Sequence, residues 1–253
     1  MKIRIAQIKV EPVKGALEAN HSTLMALLDE MKGDRLDVVI TPECFLDGYV
    51  AADPSISAQE LRRFAIEPQT SRYAQEVGRW AAANGVWLVY GCSRLSADGV
   101  FNSAVVYDRA GRIALVYDKL HLTDDDLKFM PGQALNAFEA DFGKFGVMIC
   151  ADRRWPETAR TLAIQGAQIV FNPTFGFRGE LNTCMMRTRS YENELYIAFT
   201  HPKEALITDP NGAVVCRERS KAVRFVTTDI ELTRARTFSH LDYRRPDVYQ
   251  VGV

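Results

Sequence analysis

The chain has 253 residues, 47% hydrophobic and 10% aromatic, with a formal net charge of -1; it can bury a sizeable core and lacks the basic excess of a nucleic-acid binder. Its five cysteines, Cys44, Cys92, Cys150, Cys184 and Cys216, are odd in number and never form a C-x-x-C pair, which argues against a disulfide framework or zinc knuckle and for a reducing compartment. No apolar signal segment opens the chain, no stretch is apolar for long enough to span a membrane, and no linker divides it, so a cytoplasmic protein with one domain over 1–253 is expected.

Ile3, Ala6 and Ile8 fall within a first strand, and apolar spacing over 17–31 predicts a helix closed by Gly33. Residues 37–43 read as a buried strand, a continuous apolar run that Thr41-Pro42 terminates, delivering Glu43 to its C-terminal edge. A lone carboxylate there is ordinarily solvated. The stretch 47–68 has turn composition, and a loop over strand ends would bring Tyr49 to a pocket. A helix over 69–84, a buried strand over 86–91, and a hairpin of strands 101–107 and 112–117 follow. Lys119 ends that hairpin; taken alone it reads as a snorkelling surface lysine.

The apolar run Phe145-Gly146-Val147-Met148-Ile149 ends on Cys150, and Pro156 beside Glu157 opens a helix. A thiol at the C-terminal end of a strand, just before a helix, is a candidate nucleophile, because loops at that edge gather reactive groups and helix starts offer backbone N–H to an anion. The alternative is one more small buried apolar side chain. With a free pKa of about 8.5, a thiol needs a carboxylate to take its proton or a cation to hold its thiolate. Glu43 and Lys119, each ending a predicted strand, supply those two functions, and an ammonium also stabilises the oxyanion formed when a carboxamide is attacked. Cys44 is a rival nucleophile, but neighbouring strand residues face opposite ways.

Beyond it, 158–165 reads as a helix and 167–172 as a strand, with a loop at 172–178 that would bring Asn172, Thr174 and Phe175 to a substrate, unless they are ordinary turn and core residues. A helix over 180–193 is expected to carry ion pairs among Arg187, Arg189 and Glu192. Strands are expected over 195–200, 205–208, 213–216 and 224–230, and the tail 237–253 is a candidate for packing on a neighbouring subunit. His21, His121, His201 and His240 lack metal-ligand spacing; His121 is either a base or a support beside Lys119.

Thr41-Pro42-Glu43, Tyr117-Asp118-Lys119-Leu120-His121-Leu122 and Cys150-Ala151-Asp152-Arg153-Arg154-Trp155-Pro156-Glu157 resemble, in order and interval, the glutamate, lysine and cysteine motifs of the nitrilase superfamily, the carbon-nitrogen hydrolases. The likeness covers nearly the whole chain, including Asn102-Ser103-Ala104 and Phe129-Met130-Pro131-Gly132. It implies an α/β fold, a four-layer α-β-β-α sandwich, paired through its outer helices into a homodimer or larger homo-oligomer. It also implies a cofactor-free and metal-free enzyme acting on a small-molecule amide, with Glu43 as general base, Lys119 as stabiliser of the tetrahedral intermediate and Cys150 as nucleophile. The backbone N–H of Ala151 is then a second oxyanion donor.

Members of this family commonly carry a second glutamate shortly before the Phe-x-Pro-Gly segment. Counting back from Gly132 places Asp125 there, one methylene shorter. Ala151 stands where true nitrilases tend to have Trp, which favours a linear carboxamide or N-carbamoyl substrate over a nitrile. Arg153, Arg154 and Arg178 would either bind a substrate carboxylate or pair on the surface. Two other readings stay open: a different Cys-dependent acyl transferase with His121 as base, and a catalytically silent binding protein, which the aspartate at 125 favours.

Overall fold

The computed structural model describes residues 1–232 and 240–249, in which the chain makes the same excursion twice. The first runs β1 (Lys2–Ile8), α1 (Leu17–Glu30), β2 (Val38–Ile40), α2 (Ala58–Leu61), α3 (Arg72–Asn84), β3 (Trp87–Leu95), β4 (Val100–Tyr107) and β5 (Ile113–Asp118). After the short β6 (Phe138–Ala140), the second runs β7 (Gly143–Val147), α4 (Pro156–Ile164), β8 (Ile169–Pro173), α5 (Glu180–Asn193), β9 (Tyr196–His201), β10 (Glu204–Thr208) and β11 (Val214–Glu218). In each, three parallel strands with helical crossovers lead into an antiparallel meander. Each sheet gains one antiparallel edge strand, β12 (Phe225–Glu231) on β1 and β6 on β7, giving two six-stranded sheets.

Strand alternation sorts the apolar side chains into layers. Ile3, Ile5, Val38 and Ile40 meet Phe145, Val147, Ile169 and Phe171 between the sheets. Ala6, Ile8 and Val39 face Leu24, Leu27, Val77 and Trp80 of α1 and α3. Val170, Ile197 and Phe199 face Leu162 of α4 and Met186 of α5. Both sheets are therefore covered on both faces, which is why β2 and the first three residues of β8, Ile169-Val170-Phe171, read as unbroken apolar runs. The result is the α-β-β-α sandwich that the resemblance implied.

Most boundaries shift by only a few residues. The helix expected at 158 begins at Pro156, which suits a first helical position because it has no N–H to leave unpaired. β6 and α2, a single turn opened by a Ser57–Glu60 capping box, carry too few residues for a periodic signal. Arg189 pairs with Glu192 at 3.0 Å as expected, whereas Arg187 donates to the Gly212 carbonyl. Of the tail expected to meet a second subunit, 237–239 and 250–253 lie outside the described residues, and Tyr243, Arg244 and Tyr249 line a hollow shared with Glu157 and Arg160 at α4. No helix among the described residues is long and apolar enough to cross a membrane.

The C-terminal ends of the parallel strands of both sheets lie together. Gln7, near the end of β1, reaches across to the Phe199 carbonyl at 2.8 Å and Thr200 Oγ1 at 2.9 Å on β9. That edge holds the site.

Candidate active site

Beyond β2, Thr41 continues the ladder to the Val89 carbonyl, and Cys44 turns the chain with φ 45°. Gly91 allows this close turn, since a Cβ there would lie 2.2 Å from the Pro42 carbonyl oxygen. Glu43 is thereby buried and held by three donors: Oε1 accepts from Lys119 Nζ and Asn102 Nδ2, both at 2.8 Å, and Oε2 accepts from the Phe175 backbone N–H at 2.8 Å, which leaves Oε2 one acceptor site. Lys119, following β5, also donates to Asp126 Oδ2 at 2.7 Å. Burial opposes its charge, but Glu43, the Cys150 sulfur and Asp126 outweigh that and hold its pKa well above the ordinary lysine value.

Asp125, expected to be the second carboxylate, is exposed; Asp126, the third residue of the 3-10 turn Asp124–Asp126, points inward instead. Its Oδ1 accepts from Tyr49 OH at 2.8 Å, and Oδ2 accepts from Lys119 and, at 3.2 Å, from the Thr123 N–H and hydroxyl. A tight turn with three consecutive aspartates buries one of them, and counting from Gly132 missed the register by one residue.

Cys150 sits on the turn after β7, at φ 42° and 7% exposed, opening the 3-10 helix Cys150–Arg154. A non-glycine residue in this left-handed region is strained, a feature that clusters at functional sites. Asp152 fastens the turn to the lysine strand. It accepts from Tyr117 OH at 2.7 Å, the Ile149 N–H at 2.9 Å, the His121 N–H at 2.9 Å and His121 Nδ1 at 2.8 Å. The His121 ring also stacks on Trp155 at 4.1 Å, so it braces the turn.

Adjacent residues of one loop link the acid to the sulfur. Phe175 N–H binds Glu43, and a Cβ placed on the next residue, Gly176, would lie 3.0 Å from Cys150 Sγ. Burial and Glu43 push the Cys150 thiol up, while Lys119 and Arg153 pull it back. Cys44 is also near, but burial, Asp47 and Glu43 push its pKa well above the normal thiol value, and its S–H donates to Asn102 Oδ1 at 3.3 Å. It is held as a neutral thiol that orients Asn102.

Of the expected substrate contacts, Tyr49 and Phe175 pack ring to ring at 5.4 Å, and Ala151 lies buried in the turn after the sulfur. Asn172 and Thr174 do not line an opening. Both are fully buried, with Asn172 Nδ2 bound to the Met148 carbonyl at 2.8 Å and Thr174 Oγ1 to Asn172 Oδ1 at 3.2 Å, so they shape the loop from within. Arg154 and Arg178 are exposed, whereas Arg153 is fully buried. Sequence reasoning missed Asp126, Asn102 and His201, whose Nε2 contacts the Phe175 and Gly176 carbonyls at 3.0 Å. Asn102-Ser103 interrupting the apolar β4 was the available signal. Among the described residues no group of three or more His, Cys, Asp or Glu could hold a metal ion.

Two back-to-back sheets with a carboxylate, an ammonium and a thiol grouped at their strand ends define the class, a hydrolase of C–N bonds. Residues 2–239 match the family described as carbon-nitrogen hydrolase, and the chain belongs to that family. It is 31% identical to a nitrilase of Pyrococcus abyssi over 77% of this chain and 72% of that protein. An omega-amidase of Danio rerio is 29% identical over 91% of this chain and 88% of the relative. Among solved structures, a carbon-nitrogen hydrolase from Helicobacter pylori superposes with a TM-score of 0.85 at 22% identity, covering 98% of this chain and 97% of the other.

Proposed function

We propose that the protein hydrolyses a non-peptide C–N bond in a small linear amide or N-carbamoyl compound, with Cys150 as nucleophile. Glu43 takes the thiol proton as the sulfur attacks the carbonyl carbon. The oxyanion is stabilised by Lys119 and the Ala151 N–H, the C–N bond breaks with proton return to nitrogen, and ammonia leaves. Water, deprotonated by Glu43, then attacks the thioester, releasing the acid and restoring the thiol.

The observation that carries this reading is the placement of Phe175 and Gly176, which brings the carboxylate that binds Lys119 to the same wall as the sulfur. Asp126 beside Lys119 supplies the carboxylate expected at 125, which supports a working enzyme over a silent binding protein. Because His121 is turned to Asp152 and Trp155, it is not the base in this scheme. Ala151 favours amide or carbamoyl substrates over nitriles. Self-association through the outer helices belongs to the same proposal, supported by Ile164 on α4 and Tyr191 on α5, both exposed.

The test is ammonia release from a panel of ω-amides and N-carbamoyl amines. Wild type should turn over at least one of them, and Cys150→Ala should lose at least about a thousandfold in rate. Full activity in Cys150→Ala would refute the nucleophile assignment.

A further inference from the structure

Arg153 lies within one turn of Cys150 and is fully buried, yet no carboxylate among the described residues pairs with it. Its Nε donates to Asn182 Oδ1 at 2.7 Å, one terminal nitrogen donates to the Phe177 carbonyl at 2.7 Å, and the other reaches Cys150 Sγ at 3.4 Å. The rings of Phe177 and Phe199 lie 4.6 and 5.4 Å from the guanidinium carbon. A guanidinium cannot shed its proton, and an isolated buried charge is among the costliest things a fold can enclose. Of the groups Arg153 touches, the sulfur is the one that can become an anion.

The rest of the site supplies a second reason. Glu43 and Asp126 are two carboxylates sharing a single ammonium, Lys119, which leaves surplus negative charge beside the thiol. Such a surplus opposes ionisation of sulfur. The other groups near the sulfur do not offset it. Tyr49 donates to Asp126, Asp152 faces Tyr117 and His121, and His201, behind Gly176, is held neutral with its pKa lowered to about 4. Arg154 and Arg178 stay in solvent.

We propose that Arg153 is a further catalytic residue: it holds the ionised sulfur of Cys150 and cancels the negative charge that Glu43 and Asp126 leave uncompensated. This rests on Cys150 being the nucleophile. Asn182 on α5 positions the guanidinium by accepting from its Nε.

The test needs no substrate. Labelling of Cys150 by iodoacetamide is followed by mass of the modified peptide across about pH 5 to 10, since only the thiolate reacts. Removing the cation in Arg153→Met raises the thiol's pKa. The labelling midpoint should move up by about one pH unit or more, and labelling below it should slow at least about tenfold. Arg153→Lys should recover part of the shift, and Asn182→Ala, which frees the guanidinium without removing it, should give a smaller shift in the same direction. A role confined to packing would leave every midpoint in place. Superimposed profiles for folded Arg153→Met and wild type overturn the proposal; if that variant does not fold, superimposed profiles for Arg153→Lys and Asn182→Ala do so. Full turnover by Cys150→Ala would instead overturn the nucleophile assignment itself.

Discussion

Asp125 and Asp126 are neighbours of identical chemistry, so exchanging each for alanine isolates what burial contributes. Asp126→Ala strips the acceptor from the Tyr49 hydroxyl and one of the two carboxylates from Lys119, both buried, while the partly exposed Thr123 donors can turn to water. Each buried donor left unpaired costs about 1–3 kcal/mol, and Lys119 keeps Glu43, so the loss should be about 2–5 kcal/mol. Asp125→Ala touches an exposed side chain and should stay within about 0.5 kcal/mol of wild type. Urea unfolding at neutral pH measures both, with unchanged slopes confirming that the midpoints report native stability. If Asp126→Ala unfolds with wild-type stability, or Asp125→Ala costs as much, the placement of the inward carboxylate is wrong.

Gly176→Ala puts a methyl about 3.0 Å from the sulfur, so turnover should fall at least about tenfold with stability changed by about 1 kcal/mol or less; normal turnover would mean that the loop yields freely. Lys119→Met leaves Glu43 and Asp126 facing each other without a cation and should cost about 3–5 kcal/mol near neutral pH. Acid that neutralises one carboxylate relieves their repulsion, so this variant should regain stability as the pH falls; no such recovery would count against the shared lysine. His201 is held neutral by burial, its pKa down from 6.5 to about 4, so the unfolded chain binds the proton more readily. Its contribution of about 3 kcal/mol is present above pH 6.5 and lost on acidification toward 4, and His201→Gln should flatten that part of a stability–pH curve.

Much of the architecture was readable because apolar runs ending in Pro, Cys or a charged residue marked the strand ends where Glu43, Lys119 and Cys150 stand. The boundaries of α5 fell where helical spacing put them. What stayed hidden depends on a single turn's rotation. Nothing in Thr123-Asp124-Asp125-Asp126 distinguishes the aspartate that faces Lys119, because a 3-10 turn sets that direction only once Thr123 caps it. Arg153 was read as a surface or ligand-binding arginine because its cover, Phe177, Phe199 and Asn182, comes from three distant segments. Asn172 falls inside β8 and Thr174 just beyond it, and polar residues at a strand end can point inward to tie the loop together, which pattern cannot reveal.

The doubled excursion has a mechanical corollary. The acid and the ammonium arrive on the first excursion and the sulfur on the second, so neither half holds a working set of groups, and Gln7 is among the ties that clamp the halves at that edge. Catalytic output should therefore behave as a gauge of sheet docking: on warming, inactivation ought to superimpose on the loss of near-ultraviolet circular dichroism rather than precede it.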